Sequence, residues 1–594
     1  MPPRFKYDLQ GLDPKEQQTE RKRIWLARQM QDPESAERIR ALNRASKRAQ
    51  RHREKIFKTF KESESPEQAA EPPRFRRKRP ETTSSEVPSI QHSTPAARTA
   101  SIHNSLIDPV LRSPIRPRHM VDANVMTDPP QCIPDTTHPL SPPNLDFITG
   151  ILGIEVPQQS GTVTWADGRR TILPCVMSNG INICEDNDAA MVRFLSELPE
   201  SKPSSSNVVH LKRDDLTRGQ LQQSVSEALS HNKPVIIRGG GSNSATALDA
   251  EYLEKNFGIS PRMRVTIHDV AKRVEDFTYP HKQGTIQQFL DDISNPSKIQ
   301  CILDLPLCHV GLPTELQLLD HGLVYGWNQT TVDCPVRSGK VHPDNFTTKS
   351  WALLHHAGFV SHPHHDADGA ITFVRIETGI KFWVVFRTRN TLSRTALQKA
   401  QMLFANFAKN QEEIILTWEA EVITLLDGDI LFQPAGQVHA VYTPKKSFVT
   451  GGNLHNFGSL HLTEISRYID AHKAQFLTNQ VHDNALETFQ RMTIALPRLS
   501  PSFKLYHRAL IGLCLMVINR DKYKASNHYQ GYKIVESEST ERAVAIATAI
   551  TSHFYKDIAM AQRSYRSGDQ SDPGELISQE ELASCLRPFT SLTT

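Results

Sequence analysis

The fold is decided by the stretch Ser361-His362-Pro363-His364-His365-Asp366-Ala367-Asp368-Gly369 and by the run Phe382-Trp383-Val384-Val385-Phe386 that follows it. Every second residue of a strand points to the same side, so His364 and Asp366 can direct an imidazole and a carboxylate to one point. The run Phe382–Phe386 is apolar at each position, as expected for a strand that is buried on both faces. These residues predict a strand-rich core with a polar pair at its edge.

A His-x-Asp or His-x-Glu pair alone is weak evidence for a metal site. With 25 His and 65 Asp plus Glu in 594 residues, about 2.7 such pairs arise by chance, and three occur. The pair His52–Glu54 lies in a basic arm that offers no cavity. The pair His342–Asp344 encloses a proline and has no clear strand around it. His364 and Asp366 are therefore the best candidates, because their surroundings are rich in strand signals.

Two further residues complete a candidate site. Lys381 follows His364 by 17 residues and begins the buried run. A lysine there can pair with the distal carboxylate of a 2-oxo acid in a closed site. His439 comes 73 residues after Asp366, in a predicted strand behind the turn Pro434–Gly436. Two imidazoles and one carboxylate on one face of an octahedron are typical of Fe(II) sites in non-haem oxygenases.

The chain is too long for one core, since about 150 residues per domain predicts two to four units. Its 38% hydrophobic content and 38 prolines predict that part of it is disordered. The sequence divides into a disordered basic, Pro- and Ser-rich arm (1–145), a small β-rich segment of unreadable role (146–204), the best-organised part (205–474) and a helical C-terminal domain (475–594).

The arm carries two basic features. The run 38–55 predicts contact with nucleic-acid phosphates or another acidic partner, with a simple solvated helix as the alternative. The cluster 74–79 is typical of nuclear-import signals and predicts a nuclear location. No secretory signal opens the chain and its eight cysteines show no zinc spacing, so we expect free thiols in a reducing compartment.

Local signals predict several elements of the folded part. They include strand Thr162–Trp165 before an Asp167–Gly168 turn, a helix with Leu221, Val225 and Leu229 on one face, strand Pro234–Gly239, a helix capped by Thr285, a helical insertion at 392–411, and an apolar helix Ala509–Ile518 with Leu510, Leu513, Met516 and Val517 on one face. The run Ala509–Ile518 is too short to span a bilayer and predicts a core helix, so no membrane partner is expected.

In chain order, the motifs are Ser361-x-x-His364-x-Asp366-x-x-Gly369, Gly379-x-Lys381-Phe382-Trp383, Gly428-Asp429-Ile430-Leu431-Phe432-x-Pro434-x-Gly436-x-x-His439-Ala440-Val441 and Gly451-Gly452-Asn453. This order resembles the JmjC oxygenases, most closely their lysine-demethylase branch, over roughly 208–470. The resemblance implies an α+β fold around a double-stranded β-helix (a jelly-roll, cupin-like core) with surrounding helices. It implies Fe(II) bound by His364, Asp366 and His439, and the C5 carboxylate of 2-oxoglutarate bound by Lys381, with Ser361 sharing that role.

The chain departs from this branch at two positions. Val374 stands where the branch commonly has a tyrosine that contacts the co-substrate, and Asp368 replaces a usual glycine. The resemblance implies a 2-oxoglutarate-dependent dioxygenase, and we expect a nuclear histone lysine demethylase that acts on histone tails or another protein. Two alternatives stay open: a protein hydroxylase on the same scaffold, and a catalytically silent chromatin-binding module. Val374 favours the silent module, whereas the complete ligand set opposes it.

Overall fold

A computed structural model describes residues 161–239, 248–276, 279–307, 311–335, 349–473, 485–500, 502–523, 538–566, 569 and 571–590. The predictions for the basic arm and for His342–Asp344 lie outside these residues. All described residues belong to one compact unit, 133–594. This part of the chain is mixed α/β, with 14 α-helices and a large, mostly antiparallel sheet of 11 strands. None of its helices has both the length and the apolar character needed to cross a membrane.

The strands are β1 Thr162–Thr164, β2 Arg170–Ile172, β3 Met177–Ser178, β4 Ile181–Asn182, β5 Val209–Lys212, β6 Val235–Arg238, β7 Arg264–Asp269, β8 His281–Thr285, β9 Gln300–Pro306, β10 Trp351–His355, β11 Phe359–His364, β12 Ile371–Thr388, β13 Trp418–Leu425, β14 Ile430–Gln433 and β15 His439–Leu454.

The α-helices are α1 Ala190–Ser196, α2 Arg218–Ser230, α3 Ala250–Phe257, α4 Val270–Glu275, α5 Ile286–Asp292, α6 Trp327–Gln329, α7 Arg394–Met402, α8 Phe407–Thr417, α9 Leu460–Lys473, α10 Ala485–Ala495, α11 His507–Ile518, α12 Glu538–Phe554, α13 Ile558–Arg566 and α14 Gln579–Thr590.

Two long strands, β12 and β15, divide the sheet into two arms. The first half of β12 lies between β14 and the last part of β15, and its second half lies between β13 and the first part of β15. The register shifts near Gly379, whose φ is +102°. A Cβ atom there would lie 2.4 Å from the carbonyl oxygen of Lys446, so this position requires glycine. The strand order is β11-β15-β12-β13 in what we call the short arm, and β5-β6-β14-β12-β15-β10-β9-β7-β8 in the long arm.

The inner faces of the two arms share one buried cluster. It joins Val374 and Leu431 of the long arm to Trp383, Val385 and Val441 of the short arm. Successive side chains of a strand point to opposite faces of the sheet, so the residues next to these in the chain point away from the shared core. On the short arm the outward residues Phe382, Val384, Phe386, Ala440 and Tyr442 pack against Trp165, α1, α7 and α8.

Several of the predicted elements are confirmed. Leu221, Val225 and Leu229 are buried in α2, and Thr285 caps α5 through a capping box with Gln288. Strands β1 and β2 pair across the predicted Asp167–Gly168 turn. The helical insertion is present as α7 and α8, and it extends further than expected, to Thr417.

Helix α11 is the core helix predicted for Ala509–Ile518, and its burial is not limited to the expected face with Leu510, Leu513, Met516 and Val517. Each residue from Ala509 to Val517 is buried, because the helix lies among α9, α10, α12 and α13. The six described cysteines are free and buried, as expected for thiols: Cys175, Cys184, Cys301, Cys334, Cys514 and Cys585.

Candidate metal centre

The structure brings the three predicted metal ligands together. His364 ends β11 and pairs in register with His439, which begins β15. The Nε2 atoms of His364 and His439 lie 3.8 Å and 3.9 Å from Oδ1 of Asp366. One ligand atom from each residue lies within 4.8 Å of the other two. Nitrogen and oxygen ligands lie about 2.0–2.2 Å from a transition metal, so one ion between them would reach all three residues.

Both histidines present Nε2 to the centre. The Nδ1–H of His364 donates to the carbonyl oxygen of His362 at 2.7 Å, and that of His439 donates to the carbonyl of Gln437 at 3.1 Å. A carbonyl only accepts, so the proton of each neutral ring lies on Nδ1 and the lone pair on Nε2. Burial lowers the pKa of His364, and it lowers the pKa of His439 to about 4. Both rings are therefore neutral at pH 7, as metal ligands must be.

The carboxylate of Asp366 is also suited to metal binding. Desolvation by burial acts to raise its pKa, but the adjacent His439 and His364 outweigh that effect and hold the pKa below its usual value. Gln433 donates from Nε2 to Oδ2 of Asp366 at 3.1 Å. The side chain of Asp366 is therefore ionised and oriented before any metal binds.

Trp383 connects two of the ligands. Its Nε1–H donates to Oε1 of Gln433 at 2.7 Å, which turns the amide nitrogen of Gln433 toward Asp366. Its ring also stacks on the ring of His439, with centroids 5.1 Å apart and planes 11° from parallel. Gln433 was not identified from the sequence as a site residue. Its position as a polar residue directly after the apolar run Ile430–Phe432 is a signal that could have identified it.

Helix α9 supports the turn that follows the ligands. Arg467 forms an ion pair with Asp368 at 2.5 Å, and Asp470 forms one with His365 at 3.0 Å. Asp368 adopts a φ of +54°, the left-handed region in which glycine is usual. Its ion pair explains how this chain places an aspartate there. A Cβ on Gly369 would lie 2.7 Å from the carbonyl of Thr463, so that glycine lets the turn contact α9 closely.

Lys381 lies on the inner face of the short arm, two residues from Trp383. Its side chain is only 1% exposed, and its Nζ donates to Oγ1 of Thr443 at 2.6 Å. Among the described residues no carboxylate acts on this ammonium group, and burial lowers its pKa well below the usual value. A buried cation without a counter-charge is costly unless an anion accompanies it. The sequence did not single out Thr443.

Ser361 and Val374 also lie on inner faces. Ser361 pairs with Val441 in register, on the same side as Lys381. Within the described part of the chain no hydrogen bond joins Ser361 to Lys381, whose hydroxyl partner is Thr443. Val374 is 1% exposed and packs in the core shared by the two arms, so it offers no hydroxyl to the site.

Asp304 adds an acidic group near the centre. Leu303 and Asp304 together oppose Leu353, which makes a β-bulge between β9 and β10. Asp304 has a φ of +53° and an exposed side chain. Desolvation by the surrounding protein raises its pKa, and the negative charge of Asp366 raises it further. Bulges and strained residues often redirect side chains beside functional sites.

Comparison with known proteins supplies no family. No protein-family model matches the chain, and no curated protein matches it.

Proposed function

We propose that this protein is an Fe(II)- and 2-oxoglutarate-dependent dioxygenase that acts on protein. One observation carries the proposal: a His-Asp-His cluster with both Nε2 lone pairs available includes His439 of β15, and β15 pairs with β12, the strand of Lys381. That lysine is buried and has no carboxylate partner among the described residues. Two imidazoles and one carboxylate suit Fe(II) and leave coordination positions free. The ammonium of Lys381 and the hydroxyl of Thr443 suit a carboxylate.

The arrangement of the sheet supports a JmjC-type fold. Strands β12 and β15 run through both arms, and the inner faces of the arms enclose one core. A double-stranded β-helix, the jelly-roll or cupin-like core, has two such facing sheets. We therefore propose that 205–474 is a JmjC oxygenase domain, with the motifs at 361–369, 379–383, 428–441 and 451–453 as its signature.

Bound iron and 2-oxoglutarate would together activate oxygen for insertion into a C–H bond of the substrate. The chain itself binds and orients the reactants. His364, Asp366 and His439 hold the metal, while Lys381 receives the distal carboxylate of the co-substrate. That carboxylate would stabilise the charged form of Lys381 and so offset the desolvation that lowers its pKa. The apolar inner faces exclude water from the reaction.

The proposed substrate is an N-methylated lysine of a histone tail, in the nucleus. Asp304 supports a cationic substrate side chain, since its carboxylate is exposed and close enough to Asp366 for the two charges to interact. The run 38–55 and the cluster 74–79 support phosphate contact and nuclear import on sequence grounds alone. Hydroxylation of the methyl carbon gives a hemiaminal, which releases formaldehyde.

Mass spectrometry of methylated histone peptides, incubated with protein, Fe(II) and 2-oxoglutarate, tests this substrate. We expect loss of methyl groups from wild type and none from His364→Ala. Unchanged methyl states during co-substrate turnover would exclude the demethylase. A peptide or protein product that gains one oxygen would instead identify a hydroxylase.

A catalytically silent chromatin-binding module is the second candidate, and Val374 is the observation that favours it. The co-substrate would lack a hydroxyl contact at this position. The absence of succinate from iron-loaded wild-type protein would support this reading. Succinate production that is lost in Asp366→Ala would exclude it.

A further inference from the structure

The strand that carries His364 has little support from the sheet. In the described part of the chain β11 pairs with one strand only, β15, and their register breaks between Ser361 and His364. An edge strand presents unpaired backbone groups on its open side, and here the ladder resumes only at the pair His364–His439. Contacts outside the ladder therefore help to fix the position of the first metal ligand.

Asp188 supplies such a contact. It lies in the turn Glu185–Ala189 before α1, and its side chain is 2% exposed. Oδ1 of Asp188 accepts a hydrogen bond from Nε2 of His362 at 2.8 Å. The carbonyl of the same His362 accepts the Nδ1–H of His364 at 2.7 Å. Asp188 thereby holds the residue that orients the imidazole of His364.

Arg273 of α4 extends this contact along β11. Its guanidinium forms an ion pair with the second oxygen of Asp188, donates to the carbonyl of Val360 at 3.4 Å and lies 5.6 Å from the ring centroid of Phe359. The ion pair leaves Asp188 fully compensated although it is buried. Asp188 and Arg273 together contact β11 near both of its ends.

The rest of the segment 161–204 packs behind the same region. Trp165 stacks on Phe382, with centroids 4.1 Å apart and planes 3° from parallel. The hydroxyl of Tyr442 donates to the carbonyl of Ile172. Phe382 and Tyr442 are chain neighbours of Lys381 and Thr443, so this packing supports the lysine pocket from its outer side.

We propose that Asp188 is a positioning residue of the metal centre, and that the segment 161–204, which carries Asp188, is a structural support of that centre. This inference rests on the metal-binding part of the proposed function and not on its oxygen chemistry. Asp188 touches neither metal nor substrate. It acts through His362, which sets the direction of the ligand atom of His364.

The test is Co(II) binding to the full chain, measured by calorimetric titration and by the visible absorption of the bound ion. Mutation of groups that orient metal ligands typically weakens affinity about 10- to 100-fold. We expect a loss of that size in Asp188→Asn, with an altered Co(II) spectrum. Asp186→Asn is the matched control, since Asp186 is exposed in the same turn. It should bind Co(II) like wild type.

A double-variant comparison identifies the route. If Asp188 acts through His362, then Asp188→Asn should add no further loss to His362→Ala, which removes the donor to Asp188. Additive losses would overturn the inference, and so would wild-type affinity and spectrum in Asp188→Asn. If Asp188→Asn does not fold, His362→Ala alone decides, because unchanged Co(II) binding in that variant would overturn the inference. Wild type that binds no Co(II) would contradict the proposed function itself.

Discussion

Replacement of Lys381 by methionine should stabilise the protein without co-substrate and reduce its stabilisation by 2-oxoglutarate. Lys381 is 1% exposed and carries a cation that has one hydroxyl partner, Thr443, and no carboxylate partner among the described residues. Methionine has a similar length and no charge, so it fills the same space without the cost of desolvation. A lysine with only a structural role would not give opposite effects on stability and ligand response.

The magnitudes follow from the contacts. Replacement of buried ionic groups by apolar groups of similar volume is neutral or stabilises by up to about 4 kcal/mol. Loss of the bond to Thr443 costs about 1 kcal/mol, which leaves a net gain of up to about 3 kcal/mol. Wild type at 2-oxoglutarate of about 100 times Kd should gain about 2.7 kcal/mol. Loss of a charge-assisted bond worth about 1.5–3 kcal/mol weakens Kd roughly 10- to 150-fold and reduces that gain below about 1.5 kcal/mol.

Thermal unfolding of Mn(II)-loaded protein, with and without 2-oxoglutarate, measures both effects. Lys399→Met is the control, because Lys399 is exposed on α7. The pH dependence gives an independent check. The pKa of Lys381 is lower in the folded protein than its unfolded value near 10.4, so the unfolded chain binds more protons between these values. Stability without ligand should rise with pH in that window, and Lys381→Met should flatten the rise. A destabilised variant that retains the full 2-oxoglutarate response would refute the reasoning.

Three further predictions concern other parts of the protein. Trp383→Phe keeps the stacking on His439 but loses the hydrogen bond to Gln433. Calorimetric titration should therefore show roughly 10-fold weaker metal binding, and unchanged affinity would show that Trp383 does not orient the ligands through Gln433. Asp304→Asn should raise KM for a cationic peptide about 10-fold with little change in 2-oxoglutarate affinity, and an unchanged peptide KM would remove Asp304 from substrate binding. Burial lowers the pKa of His461 to about 3, so the unfolded chain takes up a proton that the folded protein excludes as pH falls below 6.5. Denaturant unfolding should show stability falling between pH 6.5 and 4, less steeply in His461→Gln, and identical slopes would contradict the assignment.

Local signals in the sequence were sufficient for many elements. The cap at Thr285 and the helical face Leu221–Leu229 depend on residues within one or two turns, and both are confirmed. The context of His364 and Asp366 also separated this pair from chance matches, because the strand signals around it are local. The apolar run Ala509–Ile518 likewise predicted a core helix, and α11 is buried, but the sequence could not predict which helices surround it.

Contacts between distant residues were beyond the sequence. Thr443 follows its partner Lys381 by 62 residues, Gln433 follows Asp366 by 67, and Asp188 precedes His362 by 174. Each pair is brought together by strand register or by packing across the sheet. The hydrophobic periodicity within one segment does not determine either of these. For the same reason the sequence could not predict the role of the segment 161–204, because that role depends on contacts with distant residues.

The central claim is most directly tested by succinate formation from isotopically labelled 2-oxoglutarate. The measurement uses the iron-loaded 594-residue chain in air, with Asp366→Ala and Lys381→Met as variants and Lys399→Met as control. We predict labelled succinate from wild type and control, none from Asp366→Ala, and little from Lys381→Met. No succinate from wild type with bound iron, or undiminished succinate from Asp366→Ala, would contradict the proposed function.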